Sequence, residues 1–113
     1  MFKFKGEVFF NTPYKGYLAS RSGKIYSMLT NQIMDGKPDK DGYIEVCFIV
    51  NGKKKFLKAH RVIAETFLKK PKGKDQVNHK NKKRTDNRVS NLEWVSISEN
   101  ANHREHGDTK PKE

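Results

Sequence analysis

The sequence predicts an α+β protein: a small N-terminal antiparallel β-sheet with one short helix, followed by a ββα unit. Three observations point there. Short apolar-rich runs separated by Gly, Pro and Asn turn signals fill the first half of the 113 residues. One stretch with helical apolar spacing comes next. After it, two short strand signals flank a long polar loop, and a capped helix signal follows.

Taken in order, residues 5–10 read as a strand that Asn11-Thr12-Pro13 breaks. Residues 17–20 and 25–28 flank Arg21-Ser22-Gly23-Lys24, a hairpin with glycine in the turn. A polar loop over residues 35–41 contains Gly36 and Pro38. Residues 43–50 are the strongest strand signal, and Asn51-Gly52 behind them favours the positive φ angles of a tight turn. Residues 53–57 then return as a basic strand. Val62, Ile63, Thr66 and Phe67 form one apolar stripe on a short helix, which Lys69-Lys70-Pro71 ends. The chain stays polar to Ser90, broken only by Val77 and Val89, before Leu92-Glu93-Trp94-Val95 resumes strand alternation. Ser96 and Glu99 fit a capping box, which predicts a helix over residues 97–106 stopped by Gly107. Trp94, Phe67 and Ile97 are assigned to the core, Cys47 to strand packing, and residues 108–113 to a frayed tail.

Composition narrows the function. With 34% hydrophobic and 33% charged residues the chain has material for a modest core only. No run approaches the roughly 18 apolar residues of a membrane span, and the first residues lack the apolar stretch of a secretory signal. A single cysteine excludes an internal disulfide framework and a Cys-rich zinc module. The expected setting is therefore a reducing cytoplasm. Fourteen Lys and Arg fall between Lys53 and Arg88 against Glu65, Asp75 and Asp86, so this segment alone accounts for the whole net charge of +11. Charge concentrated in this way suits a polyanion, nucleic acid above all. A plain solvated basic face is the duller reading. The basic residues do not line one face of a long amphipathic helix, so a membrane surface is not expected.

The residues that could carry chemistry are Asn78, His79, Asn91 and Asn100. In a ββα unit His79 ends the first strand, and Asn100, in the first turn of the helix, faces back toward it. An imidazole can take a proton from water near neutral pH, and a divalent ion held by carbonyl oxygens offsets phosphate charge; together they suit phosphodiester hydrolysis. His60, at the start of a helix, reads as a cap or packing residue. His103 and His106 lie one turn apart without Cys or carboxylate partners at ligand spacing, so no zinc site is expected.

At these residues the sequence resembles the HNH endonucleases, in particular the phage and intron homing enzymes whose third motif residue is Asn. Residues 59–67, Ala59-His60-Arg61-Val62-Ile63-Ala64-Glu65-Thr66-Phe67, and residues 91–96, Asn91-Leu92-Glu93-Trp94-Val95-Ser96, carry the likeness. Residues 17–27 are similar to the small β module that often precedes the nuclease. The resemblance implies a ββα-metal (HNH) unit over residues 59–107, a DNA-contacting β module over residues 1–58, and the tail over 108–113. It makes His79 the general base, Asn100 and Asn78 the ligands of one divalent metal, Mg²⁺ or Mn²⁺, and Asn91 the residue that holds the loop. His103 becomes an additional contact to metal or phosphate. Position 78 is often Asp in the family, and the amide here binds a hard cation more weakly. Lys80, Lys82, Lys83, Arg84 and Arg88 would bracket the scissile phosphate, with Lys53, Lys54, Lys55, Lys58 and Arg61 extending the track. The implied partner is double-stranded DNA, and the implied setting a phage protein in the bacterial host cytoplasm. Because the sequence ends shortly after Asn100, the C-terminal DNA-binding region of longer members is expected to be missing, with a homodimer, a partner or low sequence specificity to compensate; modest specificity is the expectation. The alternatives are a catalytically inactive DNA-binding module with the same fold and, third, an RNA-binding protein.

Overall fold

Turn residues divide the first half of the chain into paired strands. Lys5 and Gly6, with φ of 49° and 82°, turn β1 (Phe2–Phe4) back onto β2 (Glu7–Asn11). β3 (Tyr17–Ala19), β4 (Ile25–Ser27) and β5 (Gln32–Met34) complete a five-stranded antiparallel sheet in the order β1-β2-β3-β4-β5. A second, three-stranded sheet pairs β6 (Lys37–Pro38), β7 (Ile44–Val50) and β8 (Lys53–Lys58). Asn51 and Gly52, at φ 53° and 79°, close its long hairpin as their sequence predicts. This is a computed structural model, and it describes residues 2–98.

Three strands differ from expectation. The run at residues 5–10 starts at Glu7, because Lys5 turns left-handed and makes β1 a separate strand. β5 carries only one β-branched residue, and β6, two residues long, pairs inside the stretch read as a loop.

α1 (Ala59–Phe67) leaves β8 directly and buries Ala59, His60, Val62, Ile63 and Ala64. It packs against β3, β7 and β8 on one side and against β9 (Gln76–His79) and β10 (Leu92–Val95) on the other. One continuous core results, from Tyr17 and Ile25 through Val46 and Phe48 to Val77, Leu92 and Trp94. Tyr17 stacks on Phe48 with ring centres 3.8 Å apart, and its hydroxyl accepts the Ile49 N–H at 2.7 Å. Burying a ring such as Phe48 contributes about 2–3 kcal/mol. Trp94 is in the core as expected and Phe67 packs at its edge, whereas Ile97, assigned to the core from sequence, stands 73% exposed beyond the end of β10. The helix expected over residues 97–106 starts at the limit of the described residues; its capping partner Glu99, Asn100, His103 and the tail lie outside them.

Candidate functional site

β9 and β10 form an antiparallel hairpin with His79 opposite Leu92, Asn78 opposite Glu93, and Val77 opposite Trp94. Alternation therefore puts Val77, His79, Leu92 and Trp94 on one face and Asn78 and Glu93 on the other. The first face meets α1. Trp94 fixes it there by donating its indole N–H to the Leu68 carbonyl at 3.1 Å, just past the helix end.

His79 ends β9 on this core face and is 3% exposed. Its ring lies 4.9 Å from His60 and 5.9 Å from Tyr43, which are themselves 5.0 Å apart. His60 is thus a packing residue, fully buried on α1 and set against the histidine ring. The His79 Nε2 is 2.8 Å from the Asn87 Oδ1. A carboxamide oxygen only accepts, so it keeps the proton on Nε2 and makes Nδ1 the basic nitrogen of the neutral ring.

Asn87 is itself held from the N-terminal sheet. Gly23, at φ 95° in the β3–β4 turn, lies so close that a Cβ there would sit 2.5 Å from the Asn87 carbonyl oxygen. Beside it the Val89 N–H donates to the Arg21 carbonyl at 2.9 Å.

The loop between the strands is tied by Asn91, 5% exposed in the 3₁₀ turn Val89–Asn91. Its Oδ1 accepts the Asn81 N–H at 3.0 Å, and its Nδ2 donates to the Asn81 Oδ1 at 3.0 Å and the Asp86 carbonyl at 2.9 Å. Its own carbonyl accepts the Lys80 N–H at 2.7 Å. Asp86 receives Arg88 and the Asn81 amide, and the Arg88 hydrogen bonds hold its carboxyl far below the usual range despite the opposing cost of desolvation.

On the opposite face Asn78 is 1% exposed and donates its Nδ2 to the Glu93 Oε2 at 2.8 Å. Its Oδ1 is buried with no hydrogen-bond partner among the described residues. An unmet buried carbonyl costs about 1–3 kcal/mol. An oxygen so placed fits a hard divalent cation, which takes carbonyl ligands. Among the described residues no three His, Cys, Asp or Glu side chains gather at metal-ligand range.

The cations expected on DNA divide into two groups. Lys53, Lys54 and Lys55 on β8, and Lys80, Lys82 and Lys83 in the loop, are exposed. The others have partners inside the fold. Lys58 is paired with Asp39 and lies 3.8 Å from Glu45. Arg61 donates to the Asp75 carbonyl at 2.8 Å and sits over Trp94. Arg84 donates to the Asp41 carbonyl and lies 4.9 Å over the Tyr43 ring, and Arg88 is bound to Asp86 at 2.7 Å. Sequence reasoning passed over Asn87, Tyr43 and the pairing of Asn78 with Glu93. Only the last left a trace, since hairpin register over Val77-Asn78-His79 and Leu92-Glu93-Trp94 could have aligned the two.

Comparison with known proteins agrees with this fold. A family model described as HNH endonuclease matches residues 57–102. An uncharacterized HNH endonuclease of Acanthamoeba polyphaga mimivirus, L245, is 32% identical over 87 residues, 77% of this chain and 26% of its own length. A second from the same virus, L247, is 36% identical over 107 residues, again 26% of its length. The DNA endonuclease I-HmuI of Bacillus phage SP01 is 31% identical over 84 residues, 74% of this chain and 48% of that enzyme. A solved structure of I-HmuI, titled for DNA binding and cleavage by an HNH homing endonuclease, superposes with a TM-score of 0.72 at 28% identity, covering 80% of this chain and 52% of that one. The chain thus spans between about a quarter and a half of the curated relatives it matches.

Proposed function

The chain belongs to the HNH endonuclease family, and from that premise we propose that it is a metal-dependent endonuclease hydrolysing phosphodiester bonds of double-stranded DNA. The observation that carries the reading is His79 at the end of β9, its Nε2 held by Asn87, within the segment the family model matches.

In this mechanism the His79 Nδ1 takes a proton from the attacking water while Asn87 keeps the other nitrogen protonated and the ring in one orientation. Tyr43 and His60 hold the imidazole edge in place by packing. General-base catalysis of this kind contributes roughly 10²- to 10⁴-fold in rate. Water attacks phosphorus in line with the leaving 3′ oxygen, giving a 5′-phosphate and a 3′-hydroxyl. Lys80, Lys82 and Lys83 bind phosphates flanking the cut, and Lys53, Lys54 and Lys55 extend the contact along β8, positioning the duplex without reading its sequence. Asn78 and Asn100 would hold one divalent ion, Mg²⁺ or Mn²⁺, which when bound offsets charge on the phosphate and the leaving oxygen. The nuclease unit of this reading runs over residues 59–107, with residues 1–58 as a DNA-contacting module.

The second reading, a DNA-binding module without catalysis, rests on the neutral amide at position 78. A supercoiled-plasmid assay with Mg²⁺, Mn²⁺ or EDTA separates the two. Cleavage that needs metal and falls at least a hundredfold in His79→Ala is the expected result. Plasmid binding with no cleavage in any metal overturns the enzyme reading.

A further inference from the structure

We infer that Glu93 is a positioning residue for the cation site, supplying from the neighbouring strand the negative charge that Asn78 lacks; the inference rests on the metal-dependent reading above. The two residues are direct cross-strand partners, and the Asn78 Nδ2 donates to the Glu93 Oε2 at 2.8 Å. A carboxylate can only accept, so it fixes which way the amide turns. The NH₂ group faces Glu93, and Oδ1 is directed away, into the buried position where it finds no partner among the described residues. A free amide could present either end to a cation; this one presents its oxygen.

The same bond shifts charge. A hydrogen bond from an amide to an anion is stronger than a neutral one, and it leaves more negative charge on the amide oxygen. Asn78 and Glu93 together therefore carry the single negative charge that one aspartate at position 78 would bring, with the charge set back by one hydrogen bond. Outer partners of this sort typically change metal affinity 10- to 100-fold when removed.

Mn²⁺ binding to the whole chain without DNA, read by titration calorimetry, tests this independently of cleavage. Glu93→Gln keeps an acceptor for the amide but removes the charge, and should weaken Mn²⁺ binding about tenfold. Glu93→Ala removes both and should weaken it about a hundredfold. The exchange Asn78→Asp with Glu93→Gln reverses the direction of the bond and should restore binding to the parent level or better, an outcome a merely structural role for Glu93 does not produce. Metal-free melting temperature reports folding, and Glu93→Gln, nearly the same shape, decides the question if Glu93→Ala unfolds. Unchanged Mn²⁺ affinity in Glu93→Gln and Glu93→Ala, with affinity lost in Asn78→Ala, overturns the role of Glu93 alone. Affinity unchanged in Asn78→Ala as well overturns the cation site and this inference with it.

Discussion

The two faces of the β9–β10 hairpin carry neighbouring residues into opposite circumstances. On the core face, His79 is packed against two rings, and Asn87 accepts from its Nε2. On the other face, Asn78 has a carboxylate at one end of its amide and, at the other, an oxygen with no partner among the described residues. One face holds an imidazole still; the other leaves an amide oxygen unmet among the described residues. Because strand alternation separates the two supports, proton transfer and cation binding should respond to different mutations although the two residues adjoin in sequence.

The largest expected effect tests that separation. Asn87→Leu removes the acceptor that selects the His79 tautomer, so kcat should fall about a hundredfold while Mn²⁺ affinity stays put, since losing the orienting partner of a catalytic histidine costs up to about 10⁴ in kcat in a serine protease. A parallel loss of metal affinity would show the two faces to be coupled. Asn91→Ala comes next. It deletes three side-chain hydrogen bonds across the loop, one of them to a backbone N–H that is then left to water or burial. Stability to urea should drop by about 2–3 kcal/mol, with hydrogen exchange speeding up in the loop before the N-terminal sheet; uniform loss across the molecule would contradict a local role. The smallest effect belongs to the exposed cations. Replacing Lys82 and Lys83 together by Ala should lower the slope of log affinity against log salt by roughly 2 and leave kcat nearly unchanged. A large fall in kcat would mean that these lysines act at the reacting phosphate rather than along the backbone.

Much of this architecture could be read before any coordinates. Asn51-Gly52 marked its hairpin because few residue pairs tolerate two positive φ angles, and the stripe of Val62, Ile63 and Phe67 marked α1. β1 escaped notice because Phe and Lys alternate on a half-exposed edge, and the turn at Lys5 uses a residue with no turn preference. β5 and β6 are too short to show a period. Within the site, His79 was legible as the end of a strand. Asn87 was not, since one more amide in a polar run has no pattern until the loop folds it onto the ring. Charge alone did not show pairing either: Lys58, Arg61, Arg84 and Arg88 count as cations in any sum, and the fold gives each an acceptor or anion of its own. A sequence shows how many charges there are, and only tertiary contacts show which of them also bind within the fold.

The close approach of Gly23 to Asn87 reaches beyond packing. The backbone that orients the histidine leans on a turn sixty-four positions upstream, so any side chain at 23 would push that support aside and misalign the imidazole without touching it. A transplant of the ββα cassette into a foreign scaffold would consequently need to carry this distant glycine along, or recreate its keystone, before the borrowed machinery could work.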